Sequence, residues 1–372
     1  MTTNMEQTIV QFEKVRVIAL AETCLEKKPI NIGDCKAPLS KGGPNDYFSQ
    51  SDYWWPNPDT EDHLPWIRRD GQSNPKNFDL HRILVRRMRK VVCAEAAAFK
   101  LTGDEKYAKQ AVLFLKEWFI NPKTRMNPSL KYSQVVLGRY NNGGRSGGII
   151  DTLHFIEIPL AIDALKKSNA MDENTLLALK KWFNDYLDFM LNSDLGKEEF
   201  GHTNNHGVAW CVQATMYAKF LGREDVLEIC RTRFKEDFLV NQLASDGTFP
   251  EELARTKPYN YSLFVMDLMT ILAYQLSTEK ENLFKYKTED GKSLETALNF
   301  ILPVTKDKSL WPYKKDVEHF DSYPTRQIYL FLTALENNDK NLLDFWMSFD
   351  PDPKDIEVRR NLAMRQPVLW IK

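Results

Sequence analysis

Two short polar clusters carry residue types suited to proton chemistry. The first, Gly201-His202-Thr203-Asn204-Asn205-His206-Gly207, comes just before an apolar run that begins at Val208. Asn and Thr at a helix start satisfy free backbone N–H groups, but such a start has no need of two histidines. An amide beside an imidazole at a helix N-terminus makes an anion site, reinforced by unpaired N–H groups and the helix dipole. The second cluster, Glu251-Glu252-Leu253-Ala254-Arg255-Thr256-Lys257-Pro258-Tyr259-Asn260-Tyr261, lies further along the chain. A tyrosine beside an arginine and a histidine can have its pKa drawn below the reference of about 10, and can then exchange a proton near neutral pH.

One reaction uses Asn, His, Arg and Tyr together: β-elimination from a uronic acid. The proton at C5 is weakly acidic because the neighbouring carboxylate is already negative. Neutralising that carboxylate with Asn205, His206 and Arg255 makes an enolate-like intermediate accessible. A tyrosinate, from Tyr261 or Tyr259, removes the proton. In mannuronate and glucuronate H5 and O4 lie on one side, so one tyrosine can also protonate the departing O4.

Three other readings compete. His202 and His206 are four apart, a spacing that can hold a metal on one helix face. The helix start falls between them, however, and no H-E-x-x-H follows, so neither a metal nor a cofactor is expected. Glu251 and Glu252 suggest a glycoside hydrolase on acidic oligosaccharides, which places two carboxylates across a cleft; adjacent carboxylates rarely face the same bond. A non-catalytic protein that binds acidic glycans is the third.

The elements that must position these clusters are mostly helical. Periodicity gives helices at 6–26, 79–101, 104–119, 149–168, 172–194, 206–221, 224–240, 261–277, 291–302, 322–337 and 340–348. No alternating strand set appears. One αα-hairpin is used twice, with Gly103 and Gly222 at its turns and acidic starts at Asp104 and Glu224. Antiparallel helix pairs with short links and one large core predict an all-α fold, an (α/α) toroid or incomplete barrel with long cleft-lining loops, in a single domain over 1–372. Residues 27–78 are rich in Pro, Gly, Asn and Trp and read as an ordered aromatic lid or cleft wall. A second loop, 121–148, ends in dense glycine, which implies close backbone approach or tight turns. The basic run Arg82, Arg86, Arg87, Arg89 and Lys90 reads as a solvated helix face, whereas Arg68 and Arg69 sit in the aromatic loop and can meet a polyanion.

Composition narrows the partners. A net charge of -1 over 372 residues gives no bias toward nucleic acid or membrane, and no stretch is apolar enough to span a bilayer. Aromatics reach 12%, with nine Trp, which suits stacking on sugar faces. The five Cys show no C-x-x-C spacing and no disulfide framework. The N-terminus has no signal-peptide core, so the expected location is cytoplasmic, or periplasmic or secreted if a signal peptide has been removed.

Several motifs together resemble the alginate-lyase superfamily of α/α-toroid polysaccharide lyases, and are similar to polysaccharide lyase family 38 and more distantly family 5. They are Asp46-Tyr47-Phe48-Ser49 with Tyr53-Trp54-Trp55-Pro56-Asn57-Pro58, Arg69-Asp70-Gly71-Gln72-Ser73-Asn74-Pro75, Gly144-Arg145-Ser146-Gly147-Gly148-Ile149-Ile150-Asp151, Asn204-Asn205-His206 and Glu252-Leu253-Ala254-Arg255-Thr256. The resemblance implies an anionic polysaccharide substrate, a β-1,4-linked uronan such as mannuronate-rich alginate or glucuronan. It implies carboxylate neutralisation by Asn205, His206 and Arg255, and a catalytic tyrosine after Arg255-Thr256: Tyr261 by spacing, with Tyr259 as the fallback. It also implies substrate contacts from Tyr53, Trp54, Arg69, Gln134, Arg139, Asn141, Asn142, Arg145 and Tyr259.

Overall fold

The structure is a computed structural model and describes residues 4–371. The chain forms two compact units. The first takes the residues up to Ile67, Asn74–Lys197 and those from Ala363 on; the second takes Arg68–Ser73 and Glu198–Leu362.

In the first unit the helices are α1 (Asn4–Glu22), α2 (Leu80–Thr102), α3 (Glu105–Leu115), α4 (Glu157–Leu165) and α5 (Glu173–Asn192). α2 packs against α1, α3 and α4. Its run Val91-Val92-Cys93-Ala94-Glu95-Ala96-Ala97-Ala98-Phe99 is buried on every side, as expected of a helix that is apolar all round and rich in Ala. Gly103, left-handed at φ 71°, ends α2, and the Asp104 side chain caps α3 by accepting from Lys106 N–H.

The chain passes into the second unit through α6 (Asp194–Phe200). There follow α7 (Asn205–Leu221), α8 (Glu224–Arg233), α9 (Pro250–Leu253), α10 (Pro258–Leu276), α11 (Leu294–Lys306), α12 (Ile328–Asn337), α13 (Lys340–Met347) and α14 (Ile356–Arg360). α10 is this unit's central helix, with α7 and α12 against it. It is buried almost throughout, Leu263 to Ala273 included. The α7–α8 hairpin repeats α2–α3, with Gly222 left-handed at φ 75°. Both second helices then widen into π-helical turns, Lys116–Ile120 and Phe234–Gln242.

The all-α class agrees with the sequence, and the departures have local causes. The helix expected at 149–168 is a 3-10 helix over Ser146–Ile156 followed by α4. Pro159 has no N–H to give the Phe155 carbonyl, so an α-helix can begin only with Pro159 in its first turn. The helix expected from 322 starts at Ile328. Pro324 disfavours helix before it, and the buried Asp267 carboxylate on α10 fixes the start by accepting from Tyr329 N–H at 2.8 Å. The short α6, α9 and α14 were not anticipated. Nor were the strands inside the two long loops: β1 (Phe48–Gln50), β2 (Trp54–Trp55), β3 (Ile67–Arg68) and β4 (Tyr132–Val135). β1 and β4 pair in parallel, with Phe48 opposite Tyr132 and Gln50 opposite Val135.

The basic face expected on α2 is not wholly solvated. Arg82 and Arg89 are buried. Arg89 lies 3.5 Å from the Glu157 carboxylate and donates to the Ala363 carbonyl at 3.0 Å. Arg82 belongs to a network centred on Asp151, described below.

Glu95 is the costly residue in α2. It is fully buried, and neither carboxylate oxygen has a hydrogen-bond partner among the described residues. Burial pushes its pKa up to about 8, with the nearby Glu22 charge adding to the shift. The fold therefore favours the protonated acid, and stability falls as pH rises from the ordinary carboxylate range toward about 8. Glu95→Gln is expected to melt higher than the parent at pH 8 and to flatten this decline. Thermal melts of both proteins between about pH 5 and pH 9 check it.

Candidate active site

The second unit brings together the start of α7, the segment after α9 and the first turns of α10. Asn204 caps α7, its side chain accepting from His206 N–H at 3.0 Å. His206 is half-buried, and its Nδ1 lies 2.6 Å from Oε1 of Glu199, at the end of α6. His202 Nε2 is 3.5 Å from the other oxygen of Glu199. Both imidazoles of the first cluster thus turn toward one buried carboxylate.

Gly207 permits this arrangement. A Cβ there would stand 2.0 Å from the His202 carbonyl oxygen, so only glycine lets the preceding turn fold across the first turn of α7.

Asn205 is held within the protein by Glu252. It is buried, and its Nδ2 donates to Glu252 Oε2 at 2.7 Å while its backbone N–H donates to Oε1 at 2.6 Å. Burial raises the Glu252 pKa, and the Asn205 N–H groups and the Arg255 and His206 charges oppose the rise. Glu252 is enclosed under α7 while Glu251 is exposed, so the pair does not form two carboxylates facing one bond.

Arg255 is held by Asp70. Its Nε donates to Oδ2 at 3.1 Å and its Nη2 to Oδ1 at 2.7 Å. Thr256 adds its hydroxyl to Oδ2 at 2.9 Å. Burial alone would raise the Asp70 pKa. The hydrogen bonds and charge of Arg255, with Thr256 and Arg68, outweigh it and hold the carboxyl well below its usual range. Gly71, left-handed at φ 75°, lets this turn dock, since a Cβ would meet the Thr256 hydroxyl at 2.3 Å.

The same guanidinium donates to the Tyr261 hydroxyl at 3.1 Å and lies 4.4 Å from the centre of that ring. Tyr261 is half-buried in the first turn of α10. Tyr259, the other candidate tyrosine, faces the core. It is fully buried, donates to the Val304 carbonyl at 3.2 Å and packs edge-on to Trp311. Burial raises its pKa above the ordinary tyrosine value. Asp316 fixes the start of α10 by accepting from the N–H groups of Tyr259 and Asn260 at 2.8 and 2.9 Å.

In the first unit Asp151 is the hub. It accepts from the Tyr47 hydroxyl (3.0 Å), the Ser49 hydroxyl (2.6 Å), Arg82 Nε (3.1 Å) and Gln134 Nε2 (2.9 Å). Gln134 is tied into this network. It is buried, and its other amide atom accepts from Arg145 Nη2 at 2.9 Å. The dense glycine of this loop answers to protein backbone: a Cβ on Gly144 would meet the Lys131 carbonyl at 2.5 Å.

The remaining expected contacts stay accessible. Tyr53, Trp54, Asn142 and Arg145 are half-buried, and Arg69, Arg139 and Asn141 are exposed. The Arg139 guanidinium lies 5.1 Å from the centre of the Trp54 ring. Tyr140, Asn141 and Asn142 are consecutive left-handed residues, at φ 51°, 52° and 54°. Asn142 tightens this turn by accepting from Gly138 N–H at 2.7 Å.

The helical fold and this set of side chains define an all-α polysaccharide lyase, and comparison with known proteins agrees. The alginate lyase family model matches residues 35–311. An alginate lyase from Bacteroides ovatus is 30% identical over 98% of each chain, with a TM-score of 0.83. Alginate lyase A1-III from Sphingomonas species A1 is 16% identical over 90% of this chain and 89% of its own, with a TM-score of 0.55, a likeness of fold. A histidine-to-alanine variant of A1-III, complexed with a tetrasaccharide, is 16% identical over 88% of each chain, with a TM-score of 0.56. Among curated proteins none matches. The chain belongs to the alginate lyase family. The α/α-toroid class expected from the sequence is the fold it shares with these enzymes.

Two substitutions check the geometry. Tyr259→Phe removes one buried hydrogen bond. It is expected to cost about 1 kcal/mol in denaturant unfolding and to leave lyase turnover intact. Gly207→Ala is expected to destabilise the fold by about 1–3 kcal/mol through overpacking and to lower turnover, because His206 shifts with the helix start.

Proposed function

We propose that the chain cleaves a β-1,4-linked uronan, mannuronate-rich alginate or glucuronan, by β-elimination, with Tyr261 as the proton-transfer group. The contact between Arg255 and Tyr261 carries this reading. A guanidinium against a phenol favours negative charge on the phenol oxygen, the form that can remove a proton from carbon. Tyr261 takes the C5 proton, the C5–H electron pair becomes the C4=C5 bond, the C4–O4 bond breaks and O4 leaves with a proton. H5 and O4 share one side in these sugars, so Tyr261 supplies that proton as well.

His206, at the N-terminus of α7, is the proposed partner of the uronate carboxylate. The helix dipole favours an anion there. The Arg255 charge is shared with Asp70, so its part lies with Tyr261. Asn205 acts through Glu252, fixing the start of α7. In the first unit the Trp54–Arg139 pair, with Tyr53, Asn141, Asn142 and Arg145, is the proposed platform for sugar rings, and Arg69 in the second unit is a further proposed contact. The alginate lyase names of the structural neighbours, and the tetrasaccharide held by a variant of one of them, support a uronan partner.

Incubation with mannuronate-rich alginate, glucuronan and pectate tests the reading. The expected product absorbs in the ultraviolet through its new double bond. Reducing ends without that absorbance would instead mean hydrolysis. Tyr261→Phe is expected to lower turnover by about 10²–10⁴-fold while leaving binding nearly unchanged; full activity would move the role elsewhere. Asp70→Asn is expected to lower kcat by about a hundredfold through misplacement of Arg255 and Tyr261, read in the same assay.

A further inference from the structure

The carboxylate behind His206 has no part in the reaction as described so far. Glu199 is 1% exposed. Its Oε1 lies 2.6 Å from His206 Nδ1. Its Oε2 is buried without a hydrogen-bond partner among the described residues, and His202 Nε2 lies 3.5 Å away. Removing a carboxylate from water is costly even when it is paired. An apolar side chain at the end of α6 would avoid that cost.

We propose that Glu199 is a positioning residue of the elimination: it holds His206 with its hydrogen on Nδ1, so that Nε2 is the nitrogen presented to the uronate. This rests on the reading of His206 given above. A carboxylate oxygen can only accept, so Nδ1 must donate, and the tautomer follows. The ring is held by Glu199 while the backbone N–H of the same residue is held by Asn204. His206 is therefore fixed at two points before substrate arrives. The negative charge behind the ring also stabilises positive charge on it when Nε2 meets an anion.

Other charged groups of the second unit lie close to the pair. His202 faces the second oxygen of Glu199. Arg233 donates to the His202 carbonyl at 3.1 Å and lies 4.1 Å from the centre of the Phe200 ring. Glu252 sits beneath Asn205, and the His206 charge acts on it. Glu199 is the one whose oxygen directly meets the His206 ring.

Glu199→Gln and Glu199→Asp, each alone and combined with His206→Ala, test the proposal. Glu199→Gln is expected to lower kcat by about 10–100-fold, as loss of a partner orienting a functional histidine does elsewhere, and to displace the pH–rate profile, with KM changing less. Glu199→Asp is expected to recover part of the loss. In the His206→Ala background Glu199→Gln is expected to have no further effect. An unshifted pH profile, or the same loss in both backgrounds, would make Glu199 a structural residue only. Nitrogen NMR of the imidazoles in the unsubstituted protein needs no variant to fold; a neutral His206 ring carrying its hydrogen on Nε2 overturns the proposal. If no uronan yields an unsaturated product, the elimination reading fails, and the NMR result still decides the tautomer.

Discussion

A single ion pair organises the proposed reactive part of the second unit. Asp70 and Arg255, 185 positions apart, meet through charge-assisted hydrogen bonds, which are shorter and stronger than neutral ones. A guanidinium is a rigid planar fork, so fixing one edge fixes the whole group. Tyr261 then receives its donor in a defined direction. Gly71 exists to let the Asp70 turn approach, and Thr256 spends its hydroxyl on the same carboxylate.

The same device recurs. Glu252 lies under Asn205, and Asp151 gathers Tyr47, Ser49, Arg82 and Gln134. Each is a carboxylate withdrawn from water and supplied with donors, which limits the penalty of burying it. The polar residues of the motifs therefore divide into two kinds. Some remain accessible, such as His206, Tyr261 and Trp54. Others are brackets, such as Asn205, Gln134 and Asp151.

The helical class was legible in the sequence because α2 and α10 are long and apolar, and because glycine marks both hairpin turns. The pairing of Arg255 with Tyr261 was legible too, since both fall in one short polar cluster six residues apart, although the helix that carries Tyr261 starts at Pro258 rather than at 261. The brackets were not. Asp70 and Glu199 carry no local sign of their partners: one sits in a loop and the other in a short helix that periodicity cannot resolve. Tyr259 and Tyr261 look alike in sequence, and only the helix face decides that one is core. Arg82 and Arg89 looked solvated because a basic run gives no hint of carboxylates that arrive from Asp151 and Glu157.

The two hairpin glycines have a practical consequence. A side chain at Gly103 or Gly222 would meet nothing within 4 Å. α7 spans 17 residues from Asn205 to Leu221, so its turn stands about 25 Å along the helix axis from the His206 end. These turns tolerate no cheap replacement of glycine, because their backbone is left-handed. The chain beside them is nonetheless uncrowded, and the Gly222 turn lies at the far end of α7 from His206. They are natural points for grafting a tether, a surface anchor or a second module beside the glycine, without crowding neighbouring side chains.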